Sequence, residues 1–270
     1  MTYPRLQIAA DIAGKVALVT GSTAGIGYAI LSALAAQGCA MMMTGLGDPD
    51  EIEAKRAALQ AEAGVKVRFH GADLADPAQV RALFEATTQS LGSIDILVNN
   101  AATRNFHRIE DLPFEQWQQA LMVNLSAPFQ LTQLVLPGMQ ARRWGCIINM
   151  ASNWGLTGTT GRADYVATKH GLVGLTRATA LEGLPYNITC NAIAPGSVLT
   201  PHAERQVRAR MERDRTTWEQ AETAFLATRQ PSGRFVQPEQ VADLIVFLCS
   251  PAASEMTGTP ISIDGGWNAI

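Results

Sequence analysis

Residues Val16 to Gly27 read V-A-L-V-T-G-S-T-A-G-I-G: four apolar residues, then a turn punctuated by Gly21, Gly25 and Gly27. Val16–Val19 has the make-up of a short buried strand, and residues 28–36 that of a helix. Strand, glycine turn and helix in that order bring a backbone close to a pyrophosphate, whose charge the turn N–H groups and the helix N-terminus favour. The spacing is G-x-x-x-G-x-G rather than G-x-G-x-x-G. Glycines alone would also serve a turn that needs positive φ. The flanking strand and helix make dinucleotide binding the expectation.

The same alternation runs down the chain. Further strands are expected at 39–44, 65–70, 94–98, 146–150, 188–192 and 260–263. Helices are expected at about 49–64, 78–91, 114–143, 163–181 and 238–250. Strands that alternate with helices across short loops predict a single-domain α/β fold. Its core is a doubly wound parallel sheet of Rossmann type with helices on both faces, and it spans residues 1–270. Residues 200–230 differ: they are dense in Arg and Glu, with Trp218 and Phe225 as isolated anchors. They read either as a flap over the site or as a plain solvated helix pair.

Composition narrows the function classes. A net charge of −3 without a long run of like charges argues against a nucleic-acid surface. Hydrophobic residues at 47% and charged ones at 17% allow a sizeable core. No apolar stretch is long enough to span a bilayer, and residues 1–15 lack the pattern of a secretory signal. Cys39, Cys146, Cys190 and Cys249 form no C-x-x-C pair and read as small buried hydrophobes in a reducing, cytoplasmic compartment. Met41, Met42 and Met43 read as core filling, and no metal is expected.

Tyr165 and Lys169 lie four residues apart, on one face of a helix. Ser152 stands just past a strand end, where ligands bind in such sheets. Asn124 interrupts an apolar helix face and on its own reads as a hydrogen-bonded core amide. Together with Thr20-Gly21-x3-Gly25-Ile26-Gly27, Asn99-Asn100-Ala101 and Pro195-Gly196, these residues resemble the short-chain dehydrogenase/reductase family from about Gly14 to Trp267. Within it, the chain is most similar to the 3-hydroxybutyrate dehydrogenase branch. The stretches Gly45-Leu46-Gly47-Asp48, Ile109-Glu110-Asp111-Leu112-Pro113, Tyr165 to Gly174 and Ile263-Asp264-Gly265-Gly266-Trp267 carry that likeness.

The resemblance implies an oxidoreductase that moves a hydride between NAD and the hydroxyl carbon of a small 3-hydroxy acid. It makes Tyr165 the acid/base, with Lys169 as the neighbouring cation that favours a phenolate and holds the nicotinamide ribose. Ser152 would donate to the substrate oxygen, and Asn124 would hold a water that links Lys169 to solvent. Cofactor contacts would come from Gly21, Thr23, Gly25, Ile26, Gly27, Asp73, Leu74, Asn100, Ala101, Tyr165, Lys169, Pro195, Gly196 and Val198. Ala102 departs from the family's usual glycine. A homotetramer would form through the helical stretches 114–143 and 163–181.

NAD is expected over NADP because no Lys or Arg lies between Lys15 and Lys55, whereas Asp48 lies near the end of the second strand. By the same resemblance, Ser152, Gln206 and Trp267 line the substrate pocket, while Arg104, Trp154 and Arg162 replace the Gln, His and Lys of the hydroxybutyrate branch. Two guanidinium forks would then face a carboxylate, which fits 3-hydroxybutyrate or a longer, branched or doubly anionic acid; the plain alternative is that Arg104 or Arg162 points to solvent or pairs with a flap Glu such as Glu204. An NADPH-dependent 3-oxoacyl-thioester reductase, a polyol or sugar dehydrogenase, and a non-catalytic dinucleotide sensor are the alternatives.

Overall fold

The computed structural model describes residues 10–269. The expectation about residues 1–15 lies mostly outside them. In chain order the elements are β1 (Val16–Val19), α1 (Gly25–Ala36), β2 (Ala40–Met43), α2 (Pro49–Ala63), β3 (Val67–Phe69), α3 (Pro77–Leu91) and β4 (Ile96–Asn99). There follow α4 (Phe114–Leu121), α5 (Ala127–Arg142), β5 (Gly145–Met150), α6 (Ala163–Gly183) and β6 (Ile188–Pro195). The chain closes with α7 (Pro201–Asp214), α8 (Trp218–Leu226), α9 (Pro238–Leu248) and β7 (Pro260–Ile263).

The strands form one parallel sheet in the order β3-β2-β1-β4-β5-β6-β7. The chain winds outward from β1 to β3, then returns to the other side of β1. The crevice between the carboxyl ends of β1 and β4 is therefore the switch point at which such sheets bind ligands. Strand pleating divides the core into two layers. Ala17, Val19, Met41, Met43, Ile96 and Val98 pack with α1 and α9, through Ile30, Leu34, Val241 and Ile245. Val16, Leu18, Met42 and Leu97 face the opposite layer, where Leu83, Leu131, Val135 and Ala180 meet them. The methionine run is core, as its composition predicts.

One element departs from the sequence reading. The helix expected at 114–143 is interrupted: α4 and α5 are joined by a π turn over Met122–Ser126, which holds Asn124. One widened turn leaves the helix axis continuous while re-aiming the side chains within it, a feature frequent at functional sites. The charged segment after β6 folds as two capped helices, α7 and α8, with a small core of their own in which Val207, Ala221, Leu226 and Phe235 are buried.

Candidate active site

A cleft of about 730 Å³ runs across the carboxyl ends of the strands. Its floor at one end is the turn after β1. Gly21 has φ +62°, and a Cβ there would lie 2.9 Å from the Ala101 Cα. Gly25 has φ +56°, and a Cβ on Gly27 would collide with the Gly21 carbonyl and the Asn100 side chain. These positions therefore admit nothing larger than glycine. The helix α1 begins at Gly25, three residues earlier than the periodicity implies, and Ala24 before it provides no side-chain cap. Its first-turn N–H groups and its dipole thus face the cleft, as anion binding requires. The turn is clamped to β4: Asn100 Nδ2 donates to the carbonyls of Thr20 at 2.9 Å and Gly21 at 3.0 Å, while Thr20 Oγ1 accepts from the Asn100 and Ala101 N–H groups.

Thr23, Ile26, Asp73, Leu74, Ala102, Pro195, Gly196 and Val198 also line this cleft, so the structure brings every expected cofactor contact to one surface. Thr44, Gly45 and Leu46 complete the wall near the end of β2. Two parts of the charge argument change here. The Asp48 carboxylate caps α2, accepting from the Asp50 and Glu51 N–H groups, and Asp48 does not line the cleft. Lys55, distant in sequence, reaches back to donate from Nζ to the Thr23 carbonyl at 3.1 Å.

At the centre of the cleft, Tyr165 and Lys169 lie on adjacent turns of α6, with the ammonium 5.4 Å from the phenol ring centroid. Lys169 is 1% exposed and donates from Nζ to the Met150 carbonyl at 2.6 Å, at the end of β5. Burial pushes its pKa down to about 7, with repulsion from Arg104 adding to the effect. Ser152 Oγ accepts from the Trp154 N–H at 3.3 Å, which leaves its own proton for another acceptor. Asn124 stands apart from the other expected catalytic residues: it is fully buried and does not line the cleft. Its Oδ1 accepts from the Thr103 N–H at 2.8 Å, and its Nδ2 donates to the Thr103 carbonyl at 2.9 Å and to Thr168 Oγ1 at 3.2 Å. The π turn thus directs this amide onto the strand-end loop and α6 together.

The far end of the cleft is aromatic and cationic. Trp267 meets Trp154 edge-on at 5.8 Å, and Trp154 meets Tyr165 edge-on at 6.3 Å. The Arg162 guanidinium lies 4.3 Å from the Trp154 centroid and 3.9 Å from that of Phe106. Its Nη1 is buried without a hydrogen-bond partner among the described residues. Burial, then repulsion from Arg104, brings its pKa down to about 10. Arg104 lies 6.0 Å from the Tyr165 ring centroid and makes no ion pair among the described residues. Gln206 reaches the cleft from α7, where it is 3.1 Å from the His202 ring. Arg104, Trp154, Arg162, Gln206 and Trp267 line the same cleft as Ser152.

Sequence reading missed Arg205 and His202 on α7, Phe225 on α8, and Arg229 beyond it, all of which line the cleft. The signal was available in one case: Phe225 and Arg229 are four residues apart, and the Arg229 guanidinium lies 4.6 Å from the Phe225 ring centroid. The remaining positions follow from how α7 and α8 fold back, which their own sequence does not state.

This arrangement has relatives. The family described as Enoyl-(Acyl carrier protein) reductase matches residues 21–268. The chain is 45% identical over 256 residues to the D-beta-hydroxybutyrate dehydrogenase of Cupriavidus necator, covering 95% of this chain and 98% of that one. It is 40% identical over 255 residues to the D-beta-hydroxybutyrate dehydrogenase of Rhizobium meliloti, covering 94% and 99%. Among solved structures, L-sorbose reductase from Gluconobacter frateurii, complexed with NADPH and L-sorbose, superposes with a TM-score of 0.91 at 32% identity, covering 96% of this chain and 98% of that one. A doubly wound sheet, a bare glycine turn at its switch point and a Ser–Tyr–Lys group at the strand ends meet here in one cleft, and with these relatives they make the chain a member of the short-chain dehydrogenase/reductase family.

Proposed function

We propose that the protein is an NAD-dependent dehydrogenase of small 3-hydroxy acids, with 3-hydroxybutyrate or a close relative as substrate. The observation that carries this reading is the placement of two arginines without acidic partners, Arg104 and Arg162, beside Ser152 and Tyr165 in one cleft. The Arg162 Nη1 is buried without a partner among the described residues, which is costly, and a carboxylate supplies the acceptor that it lacks. The likeness to the two D-beta-hydroxybutyrate dehydrogenases supports the same substrate class.

The residues fit a nicotinamide dinucleotide. The bare turn at Gly21, Gly25 and Gly27 makes room for a pyrophosphate, and the uncapped start of α1 provides its N–H groups. The bound nicotinamide supplies hydride exchange; the protein binds, orients and moves the proton. Tyr165 exchanges a proton with the substrate oxygen, and Ser152 donates a hydrogen bond to that same atom. Lys169 places positive charge behind the phenol and holds the ribose. Asn124 fixes the Thr103 loop and α6 in register around Lys169.

NAD rather than NADP rests on the apolar Leu46 at the end of β2, where no arginine lines the cleft to receive a 2′-phosphate. Helices α7 and α8 act as the substrate flap. Among the described residues, no helix is long and apolar enough to cross a membrane. The four cysteines are free and buried, which suits a reducing cytoplasm. The exposed apolar side chains of α4, α5 and α6 suit a homotetramer.

Tyr165→Phe tests the chemistry, because it keeps the ring and removes the proton. With NAD and 3-hydroxybutyrate, turnover falls at least about 100-fold while cofactor affinity holds. Near-normal turnover would overturn the assignment.

A further inference from the structure

The cationic end of the cleft holds more positive charge than one carboxylate needs. Arg104, Arg162, Arg205 and Arg229 all line it, and none forms an ion pair among the described residues. No Asp or Glu lines the same end; Asp73, at the glycine-turn end, is the acidic residue of the cleft. Arg229 comes from the turn after α8, whereas Arg104 comes from the loop after β4. Arg229 is half-buried, with its guanidinium carbon 4.6 Å from the Phe225 ring centroid. Burial and the nearby Arg210 pull its pKa below the usual guanidinium value. Arg229 is also close enough to Arg162 to depress that residue's pKa in turn. Two unneutralised guanidinium groups that line one partly buried cleft and lie close enough to shift one another repel, and that repulsion is relieved by an anion bound beside them. Stacking on an aromatic face fixes each fork without using its N–H donors, so all remain free for a ligand.

We infer that the substrate of this cleft is a dicarboxylic 3-hydroxy acid, whose first carboxylate is received by Arg104 and Arg162 and whose second is received by Arg229. The inference rests on the hydroxy-acid reading above and narrows it. A monoacid such as 3-hydroxybutyrate then leaves Arg229 unmatched, whereas a diacid satisfies all three arginines. It also makes the turn after α8 a specificity-determining part of the cleft, since Arg229 lies far from Ser152 and Tyr165 in the sequence.

The test compares 3-hydroxyglutarate with its racemic monomethyl ester, which has nearly the same length and one charge fewer. Steady-state kcat/KM with NAD is measured for the wild type, Arg229→Met and Arg229→Lys, with 3-hydroxybutyrate and an uncharged secondary alcohol as reference substrates. The wild type is expected to prefer the diacid over the ester at least tenfold. Arg229→Met brings that ratio close to one, and Arg229→Lys keeps part of it. Retention of cofactor binding by each variant, followed by fluorescence, shows that it is folded. Equal wild-type rates on diacid and ester, or an unchanged ratio in folded Arg229→Met, overturn the second-carboxylate site while rapid turnover of 3-hydroxybutyrate leaves the hydroxy-acid reading standing. Turnover of the uncharged alcohol in preference to every acid overturns both.

Discussion

The Arg162 guanidinium sits between the rings of Trp154 and Phe106, 4.3 and 3.9 Å from their centroids, with a buried Nη1 that has no hydrogen-bond partner among the described residues. Two aromatic faces hold the group in place while its polar edge stays unmatched. Arg162→Met keeps the packing and removes the fork. Loss of a charged hydrogen bond of this kind costs about 2 kcal/mol, roughly a 30-fold fall in kcat/KM on 3-hydroxybutyrate. An uncharged alcohol of similar size is expected to lose far less, and equal losses on both would remove Arg162 from carboxylate recognition.

Lys169 gives a pH dependence with a definite sign. Its pKa falls from 10.5 to about 7 on folding, because burial disfavours the ammonium. Below about pH 7 both folded and unfolded chains are protonated, and folding bears the whole penalty of burying the charge. Between about 7 and 10.5 the unfolded chain holds the extra proton, so stability rises with pH through that window. Urea unfolding of the cofactor-free protein and of Lys169→Met at pH 7, 8 and 9 reads this out. The stability of the wild type relative to the variant is expected to climb at each step, and a flat or falling difference contradicts it.

Asn124 satisfies both the N–H and the carbonyl of Thr103 and reaches Thr168, all from a fully buried position. Asn124→Ala orphans those groups, and each unmatched buried polar group costs on the order of 1–3 kcal/mol. The apo protein should lose about 2–3 kcal/mol in a urea titration, together with the activity that depends on the Thr103 loop. A variant as stable as the wild type would show that water replaces the amide without cost.

Phe114, Phe129 and Leu181 are 65%, 51% and 70% exposed, on α4, α5 and α6 respectively. If these helices make the tetramer, light scattering coupled to size exclusion gives four chains for the wild type and fewer for Phe129→Glu. A monomeric wild type excludes that interface.

The parts of this molecule that obey a local period were legible in its sequence. Val16–Val19 is apolar enough to be a central strand, and the glycines after it declare their turn, because a Cβ at Gly21 or Gly27 has no room. The pairing of Tyr165 with Lys169 follows from helix geometry alone. What the sequence hid depends on contacts between distant elements. The π turn at Met122–Ser126 has no residue signature that separates it from a plain helix. Asp48 reads in the sequence as a charge set against a 2′-phosphate, and the start of α2 claims it as a cap instead. Lys55 closes the stretch that holds no Lys or Arg, yet in space it reaches back to the Thr23 carbonyl. Arg229 belonged to a charged surface segment until α8 turned it inward.

The widened turn between α4 and α5 has a consequence for anyone who would shorten or lengthen this chain. A residue taken from an ordinary helix twists everything on one side of the cut by about 100° relative to the other. Here the helix already holds one surplus residue, so a single deletion within Met122–Ser126 would let the backbone relax to regular α geometry instead of breaking. The damage would stay inside the turn: Asn124 would lose its aim at Thr103 while α4 and α5 kept their relative bearing. The turn thus works as a local insert that points one amide at the strand-end loop without altering how the two helical segments continue one another.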